Sequence, residues 1–271
     1  MPSGKRARQQ RQAATGDKAG GKTPPPVRSK GSSGGGSYSP SKRTLTIAGV
    51  VLVAALGVGL FLAFSGNGSP NSTTTSSGGH YASIKTLGRL ASPPALGPLG
   101  PEGIPVESGP DLAPPASPQP NTSVDGIECG TSEQLAFHIH ARLTLFVDGH
   151  QETVPAGVGI SDPLTEQTQY GPFVGRGACF SWLHTHAADG IVHIESPVQR
   201  TFTLGNFFDL WAQPLSRTQV GPAKGTVTAL VNGRVWTGDP RDIPLDAHNQ
   251  IQLEVGKPLA GQQQISNWQG L

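Results

Sequence analysis

The sequence predicts an α+β fold, mainly an antiparallel β-sheet with one amphipathic helix, in the C-terminal half of this 271-residue chain. Residues 137–147 alternate between apolar and polar side chains, as in a strand of an antiparallel sheet with one face on a core. Asp-Gly or Asn-Gly pairs at 148–149, 189–190 and 232–233 are strong signals for tight hairpin turns. A helical apolar stripe over 204–213 predicts the single helix.

The first part of the chain predicts a disordered tail followed by a membrane anchor. Residues 1–43 hold ten of the 20 Lys and Arg and one of the 18 acidic residues, so this segment carries +9 and the rest of the chain −7. Such a segment has too little apolar surface to fold. The predicted transmembrane helix, 44–64, has twenty uncharged residues from Leu45 onward, and a helix of that length spans about 30 Å, the thickness of a bilayer core. Lys42 and Arg43 at its N-terminal edge predict a cytoplasmic N-terminus.

This arrangement predicts a single-pass protein of the plasma membrane whose C-terminal domain is extracytoplasmic. The alternative is a signal peptide cleaved near 63–65. A basic segment of 43 residues and an apolar segment of twenty are both longer than is usual in signal peptides, so we favour an uncleaved signal-anchor. The membrane is therefore the expected partner, and we interpret the basic tail as orienting the helix rather than binding nucleic acid.

Residues 65–124 are predicted to form a disordered linker, and residues 125–271 the one globular domain. Of the sixty linker residues, 35 are Gly, Pro, Ser or Thr, a composition that disfavours a packed core and favours an extended stalk. The remaining 147 residues are enough to bury a single core.

The two cysteines, Cys129 and Cys179, predict a disulfide. Both follow the apolar segment and are therefore expected in an oxidising compartment, where paired cysteines are usually bonded. The alternative is that Cys179 is a metal ligand. Side chains alternate between the two faces of a strand. Cys179 is an odd number of residues from His184 and His186, so its side chain is expected on the opposite face, and this alternative is disfavoured.

Within the domain, strands are expected on both sides of the helix. Beyond residues 137–147, the predicted strands are 152–155, 178–185, 191–195, 226–231, 234–236 and 250–255. Thr203 is the expected N-cap of the helix. The order strand, helix, hairpin, strand in the C-terminal half is typical of β-grasp domains, a likeness of topology that implies no function.

Two short motifs, His184-Thr-His186 and His193-Ile-Glu195, predict a metal site. If residues 189–190 form a two-residue turn, His186 lies opposite His193 and His184 opposite Glu195, with all four side chains on one face. Directly opposed residues have Cβ atoms about 4.5–5.5 Å apart, which is close enough for their side chains to share one ion.

A third motif, His138-Ile-His140, lies on a strand that we expect beside this hairpin. The candidate metal ligands are therefore His138, His140, His184, His186, His193 and Glu195. Imidazole and carboxylate donors suit Zn(II), Cu(II), Ni(II) or Fe(II), of which we expect zinc or copper. The alternative is a structural, hydrogen-bonded histidine cluster on the solvent side of the sheet.

Three segments, 138–149, 183–197 and 202–211, resemble an uncharacterised group of membrane-anchored bacterial proteins, many from actinobacteria. The segments carry the motifs His-x-His and Leu-His-Thr-His-x-x-Asp-Gly-x-x-His-Ile-Glu. The resemblance is confined to the C-terminal domain. It implies one domain type at a bacterial cell surface, and it supplies no catalytic residue.

The sequence thus predicts a membrane-anchored extracytoplasmic protein whose domain binds a divalent transition metal. Two alternatives stay open, a metal-dependent hydrolase or oxygenase and a metal-free surface interaction domain. The sequence assigns no catalytic residue, because no nucleophile lies at a useful spacing from a histidine and an acid.

Overall fold

The computed structural model describes residues 79–271. The predicted tail (1–43), the predicted transmembrane helix (44–64) and the first part of the predicted linker (65–78) lie outside the described residues. Within 79–271, no helix combines the length and the apolar character needed to cross a bilayer.

The described residues form short and long strands, one α-helix and two 3-10 helices (Ile84–Leu87 and Pro240–Asp242). The α-helix α1 covers Leu204–Leu210. The strands are, in chain order, β1 (Tyr81–Ser83), β2 (Ser123–Val124), β3 (Ile127–Gly130), β4 (Phe137–Val147), β5 (His150–Glu152), β6 (Ile160–Ser161), β7 (Leu164–Thr168), β8 (Gly171–Arg176), β9 (Cys179–Ser181), β10 (Leu183–His184), β11 (Ile191–Ser196), β12 (Leu215–Ser216), β13 (Gln219–Val220), β14 (Ala223–Lys224), β15 (Val227–Val231), β16 (Arg234–Trp236) and β17 (Gln250–Val255).

One large sheet organises the domain, with the strand order β1-β16-β15-β17-β4-β11-β10 and β5 paired to the end of β4. The pairing of β17 with β4 is parallel, and the other pairs in this sheet are antiparallel. Smaller sheets, β2-β3-β9-β6, β12-β13-β14 and β7-β8, surround it. The predicted α+β class, mainly antiparallel with one helix, is confirmed, and so are the predicted bounds of β4, β16 and β17.

The apolar face of the large sheet carries the main core, and α1 packs on it. Thr203 caps the helix as predicted, in a reciprocal capping box with Asn206. Phe207, Phe208 and Trp211 are fully buried against the odd-numbered residues of β4 and β17. The helix is shorter than predicted because Ala212 adopts a left-handed conformation (φ 55°), which ends the helical hydrogen bonding before Pro214.

The opposite face of the large sheet is polar, and it is also buried. Arg142, Gln252 and Glu254 are each at most 1% exposed. A covering layer, formed by residues 91–107 and 259–271, lies over this face. The prediction that β4 has only one face on a core was therefore wrong: most of β4 is buried on both faces.

The covering layer is held by backbone hydrogen bonds and by a small apolar cluster. The N–H of Ala91 donates to the carbonyl of Leu259 at 2.8 Å. Ile104 and Ile265 pack on Ile191 of β11. These contacts join the beginning and the end of the described chain on the polar face of the sheet.

Residues 79–124 therefore differ from the disordered linker that the composition predicts. They contribute β1 and β2, and Ile104 is fully buried. The backbone of Asp111 forms an isolated parallel β-bridge with Thr153. The indole N–H of Trp211 donates to the carbonyl of Pro114 at 2.9 Å. A Pro-rich chain has few backbone donors, but it stays extended and so can follow the surface of a sheet that other segments have built. The folded domain begins well before residue 125.

Arg142 is the central group of the polar face, and the protein provides partners for its charge. Its guanidinium donates to the carbonyl of Asp189 (3.2 Å), to the carbonyl and side chain of Gln263 (3.2 Å each) and to Oε1 of Glu107 (3.3 Å). A buried guanidinium is costly unless its N–H groups are hydrogen-bonded, as they are here.

The predicted disulfide between Cys129 of β3 and Cys179 of β9 is confirmed, with Cα atoms 5.4 Å apart. Cys179 is therefore not a metal ligand. The bond joins neighbouring strands of the small sheet, since Cys129 lies opposite Ser181.

Replacing both cysteines by serine should lower the free energy of unfolding by about 4 kcal/mol, because the bond closes a loop with a sequence separation of 50 and so restricts the unfolded chain. Urea unfolding of the oxidised wild type and of the double variant measures this difference. A free-thiol assay on the denatured, non-reduced wild type should find no thiol. Equal stabilities, or two free thiols, would contradict the prediction.

Glu107 should make stability depend on pH. Burial raises its pKa from 4.5 to about 8, although Arg142 beside it acts in the opposite direction. A carboxyl whose folded pKa is raised contributes stability that is complete below the unfolded pKa and is lost as the pH rises through the folded pKa. Between about pH 5 and pH 8.5 the wild type should therefore lose up to about 4 kcal/mol more than Glu107→Gln, since one pKa unit corresponds to about 1.4 kcal/mol.

Urea unfolding at both pH values tests this dependence. Glu128→Gln, at an exposed position, is the matched control and should follow the wild type. If the Glu107→Gln variant lost as much stability as the wild type over this range, the assignment to Glu107 would be wrong.

Candidate metal centre

The structure brings all six predicted ligands together, with β11 in the middle. His193 of β11 lies opposite His140 of β4 on one side and opposite His184 of β10 on the other. Glu195 lies opposite His138. The assumption that the strand of His138 and His140 lies beside the hairpin is thus confirmed, and opposed residues share the polar face of the sheet.

The hairpin register differs from the predicted one by two residues. His184 lies opposite His193 rather than Glu195, and the connection is a loop of six residues, 185–190, rather than a two-residue turn. Thr185 leaves the hairpin because its backbone and hydroxyl bond to the segment 155–158. A shift of two residues preserves the face on which each side chain lies. The prediction that these side chains lie together on one face is therefore correct, although the predicted register is wrong.

The first group of potential ligands consists of His138, His140, His193 and Glu195. The Nε2 atoms of His138 and His140 are 3.0 Å apart, and Nε2 of His140 is 3.1 Å from Nδ1 of His193. Oε1 of Glu195 is 3.1 Å from Nε2 of His138 and 3.3 Å from Nδ1 of His193. These four atoms form a compact set around a common centre.

The second group consists of His184, His186, His193 and Glu195. The Nε2 atoms of His184 and His186 are 3.1 Å apart. Oε2 of Glu195, the oxygen that is not used in the first group, is 4.0 Å from Nε2 of His184. The two groups therefore lie on opposite sides of β11 and share His193 and Glu195.

Backbone contacts fix the protonation of the second group. Nδ1 of His184 is 2.9 Å from the carbonyl of Ser181, and Nδ1 of His186 is 2.6 Å from the carbonyl of Val174. A carbonyl oxygen can only accept, so both Nδ1 atoms carry the proton and both neutral rings present an Nε2 lone pair. Two lone pairs thus face each other at 3.1 Å with no proton between them.

Adding a proton to one of these rings is costly. Burial, and then the charge of His193, lower the pKa of His184 well below its usual value and also lower that of His186. The same two causes lower the pKa of His140 to about 3. The rings of His140, His184 and His186 are therefore neutral at pH 7, which is the state in which imidazole binds metals.

Glu102 is a residue of the site that the sequence did not reveal. Its Oε1 accepts a hydrogen bond from Nε2 of His193 at 2.7 Å. Burial alone would raise the pKa of Glu102, but this hydrogen bond and the charge of His193 lower it. Burial would likewise lower the pKa of His193, but hydrogen bonds to Glu102 and Glu195 raise it to about 9. Glu102 thus orients His193 so that Nδ1 faces the cluster.

Glu133 also reaches the site, with Oε1 3.5 Å from Nε2 of His186. Burial, and then the charge of Glu195, raise its pKa. The side chains of Glu133 and His138 are 36% and 38% exposed, whereas the other four histidines and Glu195 are at most 7% exposed. The site therefore opens to solvent along the edge formed by His138 and Glu133.

Glu195 has an unpartnered oxygen. Its side chain is 3% exposed, and Oε2 has no hydrogen-bond partner among the described residues. A buried carboxylate oxygen without a hydrogen-bond donor is costly. Here the nearest ring nitrogen, Nε2 of His184, carries a lone pair and no proton. The centre therefore has more acceptors than protons.

Comparison of this chain with protein-family models, with curated proteins and with solved structures found no match.

Proposed function

We propose that this chain is a membrane-anchored extracytoplasmic protein whose domain binds a divalent transition metal at the His/Glu cluster. One observation carries the metal proposal: the Nε2 lone pairs of His184 and His186 face each other at 3.1 Å while backbone carbonyls hold both protons on Nδ1. Without a cation this contact is repulsive. Two imidazoles bound to one zinc ion at about 2.0–2.1 Å have nitrogens about 3.3 Å apart, close to the observed spacing.

The hydrogen bonds of the second ring nitrogens also support a metal site. Metal-bound histidines usually donate their second ring N–H to a carbonyl or a carboxylate. His184 and His186 do so to carbonyls, and His193 does so to Glu102. A merely structural cluster would be expected to pair each ring nitrogen with a donor or an acceptor of its own.

The donor set favours Zn(II) or Cu(II). Nitrogen and oxygen donors suit these ions, whereas Cu(I) prefers thiolates and thioethers. Both cysteines are in the disulfide, and Met1 is the only methionine. The carboxylates of Glu102, Glu133 and Glu195 add negative charge at or beside the site, which favours a divalent cation.

The location rests on the sequence and on the disulfide. The uncharged segment 44–64 with Lys42 and Arg43 before it favours an anchor with the domain outside. A disulfide persists in an oxidising compartment and is rare in the cytosol, so the bond between Cys129 and Cys179 supports the extracytoplasmic side.

Elemental analysis of the purified full chain tests the metal proposal. After incubation with Zn(II) or Cu(II) and removal of free ion, the wild type should hold at least one ion per chain. His193→Ala/Glu195→Ala removes the two residues that both groups share and should abolish this uptake. The matched control is His150→Ala/Glu152→Ala, which removes the same His-x-Glu spacing from β5, away from the site.

A wild type that takes up neither zinc nor copper would overturn the proposal and leave the cluster as a structural or partner-binding face. Equal uptake by the wild type and by His193→Ala/Glu195→Ala would place the metal elsewhere in the chain.

Glu102→Gln should weaken zinc affinity about 10–100-fold, the usual effect of losing a partner that orients a metal-bound histidine. Glutamine keeps the size of the side chain but is a poorer acceptor for the N–H of His193. Competition with a chromophoric chelator measures the affinity, and Glu128→Gln at an exposed position is the control. Unchanged affinity would show that Glu102 does not support the site.

A further inference from the structure

The six candidate ligands fall into two groups of four, each with its ligand atoms within 4.8 Å of one another, and neither group holds all six. His138 and His140 lie on β4, and His184 and His186 lie on β10 and in the loop after it, with β11 between the two pairs. Within each pair the Nε2 atoms are 3.0–3.1 Å apart, which is the spacing of two ligands on one cation. Each pair therefore defines a position of its own.

Glu195 faces both positions with different oxygens. Oε1 is 3.1 Å from Nε2 of His138, and Oε2 is 4.0 Å from Nε2 of His184. Oε2 is also the buried oxygen that has no hydrogen-bond donor. A single ion in the first position would leave Oε2 and the facing lone pairs of His184 and His186 uncompensated. A second cation removes both costs at once.

His193 lies within reach of both groups, and we assign it to the first position. Its Nδ1 lies 3.1 Å from Nε2 of His140 and 3.3 Å from Oε1 of Glu195, while its Nε2 is occupied by Glu102. The first position thus has three nitrogens and one oxygen, the four donors that zinc usually takes. The second has two nitrogens and one oxygen, and Oε1 of Glu133, 3.5 Å from Nε2 of His186, is beside it on the open edge of the site.

We propose that the centre is dinuclear: two divalent cations, one held by His138, His140 and His193 and the other by His184 and His186, are bridged by the carboxylate of Glu195. This inference rests on the proposed metal-binding function and adds its stoichiometry and its bridge. In two-metal protein sites the ions are about 3.5–4 Å apart, a separation that one carboxylate spans. The second position keeps a coordination site toward solvent for an exchangeable oxygen ligand.

Metal counting on the full chain tests the proposal. The wild type should bind two Zn(II) per chain, and His138→Ala/His140→Ala and His184→Ala/His186→Ala should each bind one. The control His150→Ala/Glu152→Ala should bind two. One ion in the wild type would overturn the dinuclear proposal and leave metal binding itself intact, whereas no ion in the wild type would overturn both.

The wild type loaded with Cu(II) provides a second readout. Two copper ions bridged by a carboxylate are magnetically coupled, so the electron paramagnetic resonance signal should account for much less than the two coppers found by elemental analysis. Each single-position variant should return a full signal for its one copper. Two coppers with two uncoupled signals in the wild type would show separate sites and overturn the bridge.

Discussion

The burial of a polar sheet face is the constraint on which the rest of the structure depends. Polar and ionisable groups lose hydration when the covering layer closes over β4, β11 and β17, and each loss must be repaid by a specific partner. Around Arg142 the protein supplies those partners itself, with carbonyls and Glu107. Oε2 of Glu195 and the facing Nε2 atoms of His184 and His186 have no hydrogen-bond donor among the described residues. The two halves of one face thus differ: the first is satisfied internally, and the second is the half for which we propose cations.

Several elements around the His/Glu cluster fix the orientation of its histidine rings. β9 carries both Cys179 of the disulfide and Ser181, whose carbonyl fixes the proton of His184. The strand pair β7–β8 supplies the carbonyl of Val174 for His186, and the covering layer supplies Glu102 for His193. The orientation of the candidate ligands therefore depends on three separate parts of the fold.

The sequence predicted the parts of this fold that local patterns determine. The alternation of apolar and polar side chains over eleven residues located β4. The alternation of side chains between the two faces of each strand placed the six candidate ligands on one face. The register of the hairpin was wrong because Thr185 bonds to residues 155–158, which are distant in sequence. Glu102 was missed because a segment rich in Gly and Pro resembles a linker in composition. The apolar residue Ile104, two positions after Glu102, was the one local indication of packing in the sequence, and it is fully buried.

The covering layer also has a consequence for how the chain folds. The parallel pairing of β4 with β17 joins residues about 108 positions apart, as between Thr144 and Gln252, and Glu102 meets His193 across 91 positions. Contacts of such separation carry a large loop-closure entropy and form slowly. Glu102 and His193 therefore meet only when a loop of 91 positions has closed. An ion bound with His193 in this orientation would therefore report that the segment carrying Glu102 has closed over the sheet, rather than guide the first steps of folding.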